Sequence, residues 1–256
     1  MDQFLLLGDS ITQQSFCQDR GFGLGAALSD AYVRRLDVVN RGLSGYNTRM
    51  ALQVLPQVIP PPEQAKLRFV TFLFGSNDAR LPNTPPDVPQ QHVPLEEYKK
   101  NMRALVTHPK ILAHQGVRRI LITPPPIDER RCGENDFVHD IPVRKAKDTA
   151  KYAQAVRELG KELGLQVLDL WTAMIHRAGG KESDSEPVGS IDVPLHEVLR
   201  SFVRDGLHLS PEGYRVLFDE LLALIERVWP DQMPVKLPFV LPQWLDQKAW
   251  DSYPSL

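Results

Sequence analysis

Phe4-Leu5-Leu6-Leu7-Gly8-Asp9-Ser10 sets an unbroken apolar run directly against a turn, and this junction decides how the rest of the chain is read. A run without polar alternation fits a strand covered on both faces rather than one half open to water. Four more apolar, partly β-branched runs follow at wide intervals: Leu36–Val39, Phe69–Phe74, Ile120–Thr123 and Val167–Leu170. The segments between them carry helical spacing. Ala146, Ala150, Ala153, Val156, Leu159 and Leu163 step by three or four residues, and Gly164 follows in a C-cap position. Ser210-Pro211 reads as an N-cap and first-turn proline ahead of a helix through Trp229. Strand–helix alternation of this kind predicts an α/β fold, a three-layer α/β/α sandwich around a flavodoxin-like five-stranded parallel sheet.

The 256 residues, 42% of them hydrophobic, are enough for one large core, placed here in residues 1–229. Residues 230–256 form a tail with five prolines together with Phe239, Trp244, Trp250 and Tyr253. Proline excludes a long helix there, and the aromatic content predicts packing on the domain or, as a homodimer, on a partner subunit. Thirty basic and 32 acidic residues leave a net charge of −2, which offers no general attraction for nucleic acid. No apolar stretch approaches the roughly 20 residues of a membrane span. The first residues lack the basic segment of a secretory signal, and two cysteines, Cys17 and Cys132, make no disulfide framework. A cytoplasmic location is expected.

Chemistry-bearing residues gather at the carboxyl ends of the predicted strands, the edge where open α/β sheets bind ligands. Ser10 follows the first strand, where a hydroxyl and a helix N-terminal N–H lie together, an arrangement suited to a nucleophile and equally to an N-cap. Gly42 ends the second strand, where glycine permits a close backbone approach or a turn. Asn77 follows the third, in Gly75-Ser76-Asn77-Asp78, with an amide able to donate to developing negative charge or to form an Asx-turn. Asp205-Gly206-Leu207-His208 precedes the last helix and places a carboxylate three residues from an imidazole, as a base and its orienter require. Each signal alone also fits capping or turn formation; together they supply a nucleophile, a base, an orienter and donors at one edge. Proline clusters in Ala79–Pro94 and Pro124–Pro126 follow strands three and four, and the Ala79–Pro94 and Pro124–Pro142 loops, with Tyr46, are placed to wall a pocket. Asp9 and Asp78 flank this pocket and are read as turn or hydrogen-bonding residues, not as a metal pair. His92, His108, His114, His139, His176 and His196 lack partners at ligand-like spacing.

Gly8-Asp9-Ser10, Gly42, Gly75-x-Asn77-Asp78 and Asp205-x-x-His208 resemble the four motif blocks of the SGNH (GDSL-type) hydrolases. Within them, Gly8–Thr12, Gly45-Tyr46-Asn47-Thr48-Arg49, Gln91–Tyr98 and Asp205–Ser210 are similar to the isoamyl acetate-hydrolysing esterases. Ile11 stands where the GDSL name has leucine, a position with no polar group to lose. The resemblance, over about residues 3–229, implies Ser10 as nucleophile, His208 as general base and then acid, and Asp205 as orienter. It implies an oxyanion hole of the Ser10 and Gly42 N–H groups with the Asn77 side chain, no metal or organic cofactor, and a small ester as substrate. The expected reaction is hydrolysis of short-chain, acetate-type esters of small hydrophobic alcohols through an acyl-enzyme. Rival readings are another acyl hydrolase or transferase (thioesterase, carbohydrate acetylesterase, alcohol acyltransferase) or, from a different class, a flavodoxin-like module binding a phosphate-bearing ligand.

Overall fold

A computed structural model describes residues 1–83, 90–135 and 143–254. Parts of the two proline-rich loops (84–89 and 136–142, the latter with His139) lie outside the described residues. In chain order the elements are β1 (Gln3–Gly8), α1 (Ser10–Gln13), α2 (Leu24–Ala31), β2 (Asp37–Gly42), α3 (Thr48–Val58), β3 (Leu67–Leu73), α4 (Leu95–Val106) and α5 (Pro109–Leu112). They continue with β4 (Arg118–Ile122), α6 (Glu129–Asn135), α7 (Ala146–Leu163), β5 (Gln166–Leu168), α8 (Leu170–Arg177), α9 (Glu197–Phe202), α10 (Pro211–Val228) and α11 (Gln247–Asp251).

The five strands pair in the order β2-β1-β3-β4-β5, parallel throughout. This is the flavodoxin-like order, with β1 and β3 side by side where the winding reverses. Both faces of the sheet are covered, which is why the central strands β1, β3 and β4 carry near-continuous apolar runs, while the edge strand β2 is only half-buried. Phe4 and Leu6 of β1 join one cluster with α2, α8, α9 and α10, while Leu5 and Leu7 join another with α3, α4, α5 and α7. Phe4, Phe69 and Phe72 are fully buried, each contributing about 1.5–3 kcal/mol through loss of apolar surface from water.

The fifth strand is shorter than its apolar run. It stops at Leu168 because the Asp169 carboxylate accepts from the Thr172 N–H at 3.2 Å and caps α8, so Leu170 is buried as a helical residue. Residues 232–242 of the tail lie against α2 and the turn that follows it, whereas Trp244, Trp250 and Tyr253, expected to pack, stay exposed. Tyr32 Oη donates to Gln232 O at 3.0 Å, and Arg35 Nε to Leu237 O at 2.9 Å. The guanidinium groups of Arg34 and Arg35 lie 4.4 and 4.2 Å from the Phe239 ring centre. Among the described residues no helix is long and apolar enough to cross a membrane.

Candidate active site

Ser10 is the first residue of α1, set directly above the end of β1. Asp9 makes the turn: its N–H donates to Leu73 O at 3.2 Å, and its carboxylate accepts from the Ile11 N–H at 2.9 Å. Tyr214 Oη of α10 donates to Ile11 O at 2.6 Å and holds the short helix from the other side. Ser10 is buried, as are Ile11 and Thr12, so the hydroxyl sits on a fixed backbone.

His208 and Asp205 arrive on a tight loop closed by an antiparallel bridge between Val203 and Leu209. The Arg204 N–H donates to His208 O at 2.9 Å. Gly206 has φ +88°, and a side chain there would also run into the backbone of Asp128 and Cys132. Glycine therefore lets the loop lie flat on the start of α6, where the Asp128 N–H donates to Gly206 O at 2.9 Å. Asp205 Oδ1 accepts from the N–H groups of His208 (2.7 Å) and Leu207 (3.1 Å), and Oδ2 faces His208 Nδ1 at 2.8 Å. Arg204 Nη1 is 3.2 Å from the same Oδ2. Burial opposes ionisation of Asp205, but the hydrogen bond and charge of His208, with the two N–H donors, outweigh it. They hold the carboxyl well below the usual carboxylate range. On its other side the imidazole Nε2 lies 2.9 Å from Ser10 Oγ, across 198 positions of sequence.

Such a chain of hydroxyl, imidazole and carboxylate can transfer the hydroxyl proton as the oxygen attacks an electrophilic carbon. The attack needs donors for the charge that develops. The Ser10 N–H, at the first turn of α1, donates in no described hydrogen bond. Asn77 is buried; its Nδ2 donates to Tyr46 O at 2.9 Å, leaving one amide hydrogen uncommitted among the described residues.

Gly42 does not fit the donor role expected of it. Its N–H donates to the side-chain oxygen of Asn40 at 2.7 Å, and a side chain at Gly42 would run into the backbone of Gln13. Its glycine identity serves the close approach of α1 to the β2 edge. Three residues on, the Gly45 N–H is unused among the described hydrogen bonds. Its loop is tied to α1 by the Ser44 N–H, which donates to Gln13 Oε1 at 2.8 Å. Gly45 is thus the candidate donor of this loop that the sequence reading did not name. Its signal was Asn40-x-Gly42, a spacing at which an asparagine side chain takes the N–H two residues on.

Asp9 and Asp78 do not line a pocket, because both are fully buried. Asp78 Oδ1 accepts from the N–H (3.0 Å) and hydroxyl (2.5 Å) of Thr48, joining the loop after β3 to the start of α3. Burial raises the Asp9 carboxyl to about 7, with the Ile11 N–H and His208 opposing, and the Asp78 carboxyl to about 6 against the Thr48 bonds. Tyr46 is half-buried, and its carbonyl receives the Asn77 amide. Among the described residues, no group of three or more His, Cys, Asp or Glu could hold a metal ion. His114 is structural, accepting from the Leu67 N–H through Nδ1 at 3.2 Å, and His108 caps α5.

A family model for GDSL-like lipases and acylhydrolases matches residues 6–216. A GDSL esterase/lipase of Arabidopsis thaliana is 39% identical over 246 residues, covering 92% of this chain and 91% of that protein. The human isoamyl acetate-hydrolyzing esterase 1 homolog is 38% identical over 246 residues, covering 95% of this chain and 87% of its own. Among solved structures, a lipase/acylhydrolase from Enterococcus faecalis superposes with a TM-score of 0.62 at 23% identity, covering 94% of this chain and 100% of that one. Axe2, an acetylxylan esterase from Geobacillus stearothermophilus, superposes at 0.59 and 23% identity, covering 88% and 94%; at such identity the likeness extends to the fold. With a serine, an imidazole and a carboxylate joined at the sheet edge and the motif blocks matched across most of its length, the chain belongs to the GDSL-like lipase/acylhydrolase family.

Proposed function

We propose that this protein is a serine esterase that cleaves short-chain, acetate-type esters of small hydrophobic alcohols through an acyl-enzyme intermediate. The observation that carries the reading is the 2.9 Å approach of His208 Nε2 to Ser10 Oγ, with Asp205 on the far ring nitrogen. Similarity to proteins named isoamyl acetate-hydrolyzing esterase supports the acetate-type substrate.

Ser10 Oγ attacks the ester carbonyl carbon while its proton passes to His208 Nε2. The tetrahedral oxyanion is met by the N–H groups of Ser10 and Gly45 and the free amide hydrogen of Asn77. Collapse breaks the bond to the alkoxy oxygen, which takes the proton from His208 and leaves as the alcohol. Water then attacks the acyl-serine, giving its proton to His208, and the acid departs as Ser10 recovers its proton. Asp205 keeps the Nδ1 proton in place and stabilises the transient imidazolium. One oxyanion donor is worth about 10²–10³ in turnover. These groups all lie within residues 1–229, and we assign the tail a wrapping role around that unit.

Hydrolysis rates across acetyl, butyryl, octanoyl and palmitoyl esters of one alcohol test the substrate class. Acetyl and butyryl esters are expected to turn over fastest, and a preference for octanoyl or longer chains contradicts the assignment.

A further inference from the structure

Arg144 stands on the segment that enters α7, yet its side chain reaches back to the loop after β3. The guanidinium is buried, with Nη1 donating to Ser76 O and Nη2 lying 3.4 Å from Asn77 Oδ1. The two segments are also stitched through their backbones, the Leu81 N–H donating to Val143 O at 2.8 Å. Nothing in the catalytic sequence above uses this arginine.

A side-chain amide has two orientations that exchange its oxygen for its nitrogen while leaving its shape unchanged. At Asn77 the neighbours distinguish them. Tyr46 presents a carbonyl, which can only accept, and Arg144 presents N–H groups, which can only donate. In the observed orientation Nδ2 meets the carbonyl at 2.9 Å and Oδ1 faces the guanidinium. A flip sets oxygen against oxygen and donor against donor in a site closed to water, where mismatched polar groups are costly. It also turns the free amide hydrogen away and puts an oxygen in its place, which repels an oxyanion.

We infer that Arg144 is a positioning residue that holds the Asn77 amide in the one orientation able to stabilise the oxyanion. The inference rests on the esterase reading above. Its fixed positive charge beside Oδ1 also polarises the amide, strengthening the donor at the moment charge develops. Arg144 touches no reacting atom, so its effect passes through Asn77, which makes it separable from a general contribution to folding.

A double-mutant cycle on p-nitrophenyl acetate hydrolysis tests this, with Arg144→Met, Asn77→Ala and the pair together. Turnover is normalised to the fraction of sites titrated by a fluorophosphonate, so that partly unfolded protein does not count. Arg144→Met is expected to lower kcat about tenfold or more while KM changes less than about twofold. In the Asn77→Ala background the same substitution is expected to cost nothing further, because the amide it orients is gone. Should Arg144→Met fail to fold, Arg144→Lys carries the same cycle, since one ammonium cannot span both Ser76 O and Asn77 Oδ1 as the fork does. Losses that multiply in the double variant, or a kcat within about twofold of wild type for the single one, overturn the inference alone. A wild-type protein that hydrolyses no ester overturns the esterase reading, and this inference with it.

Discussion

Asp9→Asn isolates the cost of holding a carboxyl behind Ser10. Its Oδ1 accepts from the Ile11 N–H, whereas Oδ2 is buried with no hydrogen-bond partner among the described residues, and burial raises the group to about 7. In the unfolded chain the same carboxyl titrates near its ordinary value of 3.8. Below that pH both states hold the proton and the group is neutral in its effect. Between 3.8 and about 7 the unfolded chain releases the proton and the folded protein keeps it, so stability falls as pH rises. At about 1.4 kcal/mol per pH unit the full penalty is about 4 kcal/mol, of which about 3 accumulates between pH 5 and pH 8. Asparagine preserves the cap oxygen and removes the proton equilibrium. Urea unfolding of both proteins at several pH values is the assay. The variant is expected to gain about 3 kcal/mol on wild type from pH 5 to pH 8. Asp78, raised to about 6, continues to draw both curves down in the lower part of that window. Parallel curves would refute the reasoning, because they require an Asp9 proton that is bound equally in both states.

Two further variants probe other contacts. Asp205→Asn is expected to lower kcat by about 10⁴ with the fold intact, since an amide can hold the wrong imidazole tautomer; steady-state kinetics beside a melting curve check it. It also removes a carboxylate held below its usual range, so stability that wild type loses as pH falls below that range becomes insensitive to acid in the variant. A variant ending at Trp229 is expected to melt several degrees lower, having lost the Arg34 and Arg35 contacts to Phe239 and the Tyr32 bond to Gln232 O. An unchanged melting temperature contradicts the wrapping role of the tail.

The central strands β1, β3 and β4 and the caps at Gly164 and Ser210 were legible because both rest on local chemistry, buried apolar runs and helix-end geometry, whereas the half-buried edge strand β2, with Asp37, Asn40 and Arg41, carried little more signal than Val38-Val39. Leu170 escaped because an apolar run does not announce where strand gives way to helix; the capping Asp169 does. The meeting of residues 10, 205 and 208 was legible for a topological reason. A parallel sheet gathers the loops after its strands at one edge, so residues placed there by sequence share a neighbourhood. Which N–H in Asn40–Gly45 is free depends on a side-chain bond between Asn40 and Gly42, a choice that composition and spacing leave open. Arg144 was invisible for a related reason, because its reach to Ser76 and Asn77 joins loops whose proximity only the fold creates. Asp9 and Asp78 were misplaced because the edge of a doubly covered sheet is deep: a polar residue one position from an open site can be wholly enclosed.

The most direct measurement is covalent labelling with a fluorophosphonate, followed by peptide mapping of the modified side chain. One phosphonyl group per chain on Ser10, prevented by substitution of His208, is the outcome expected of a hydroxyl activated by that imidazole. A label on another residue, or labelling of Ser10 that persists unchanged without His208, contradicts it.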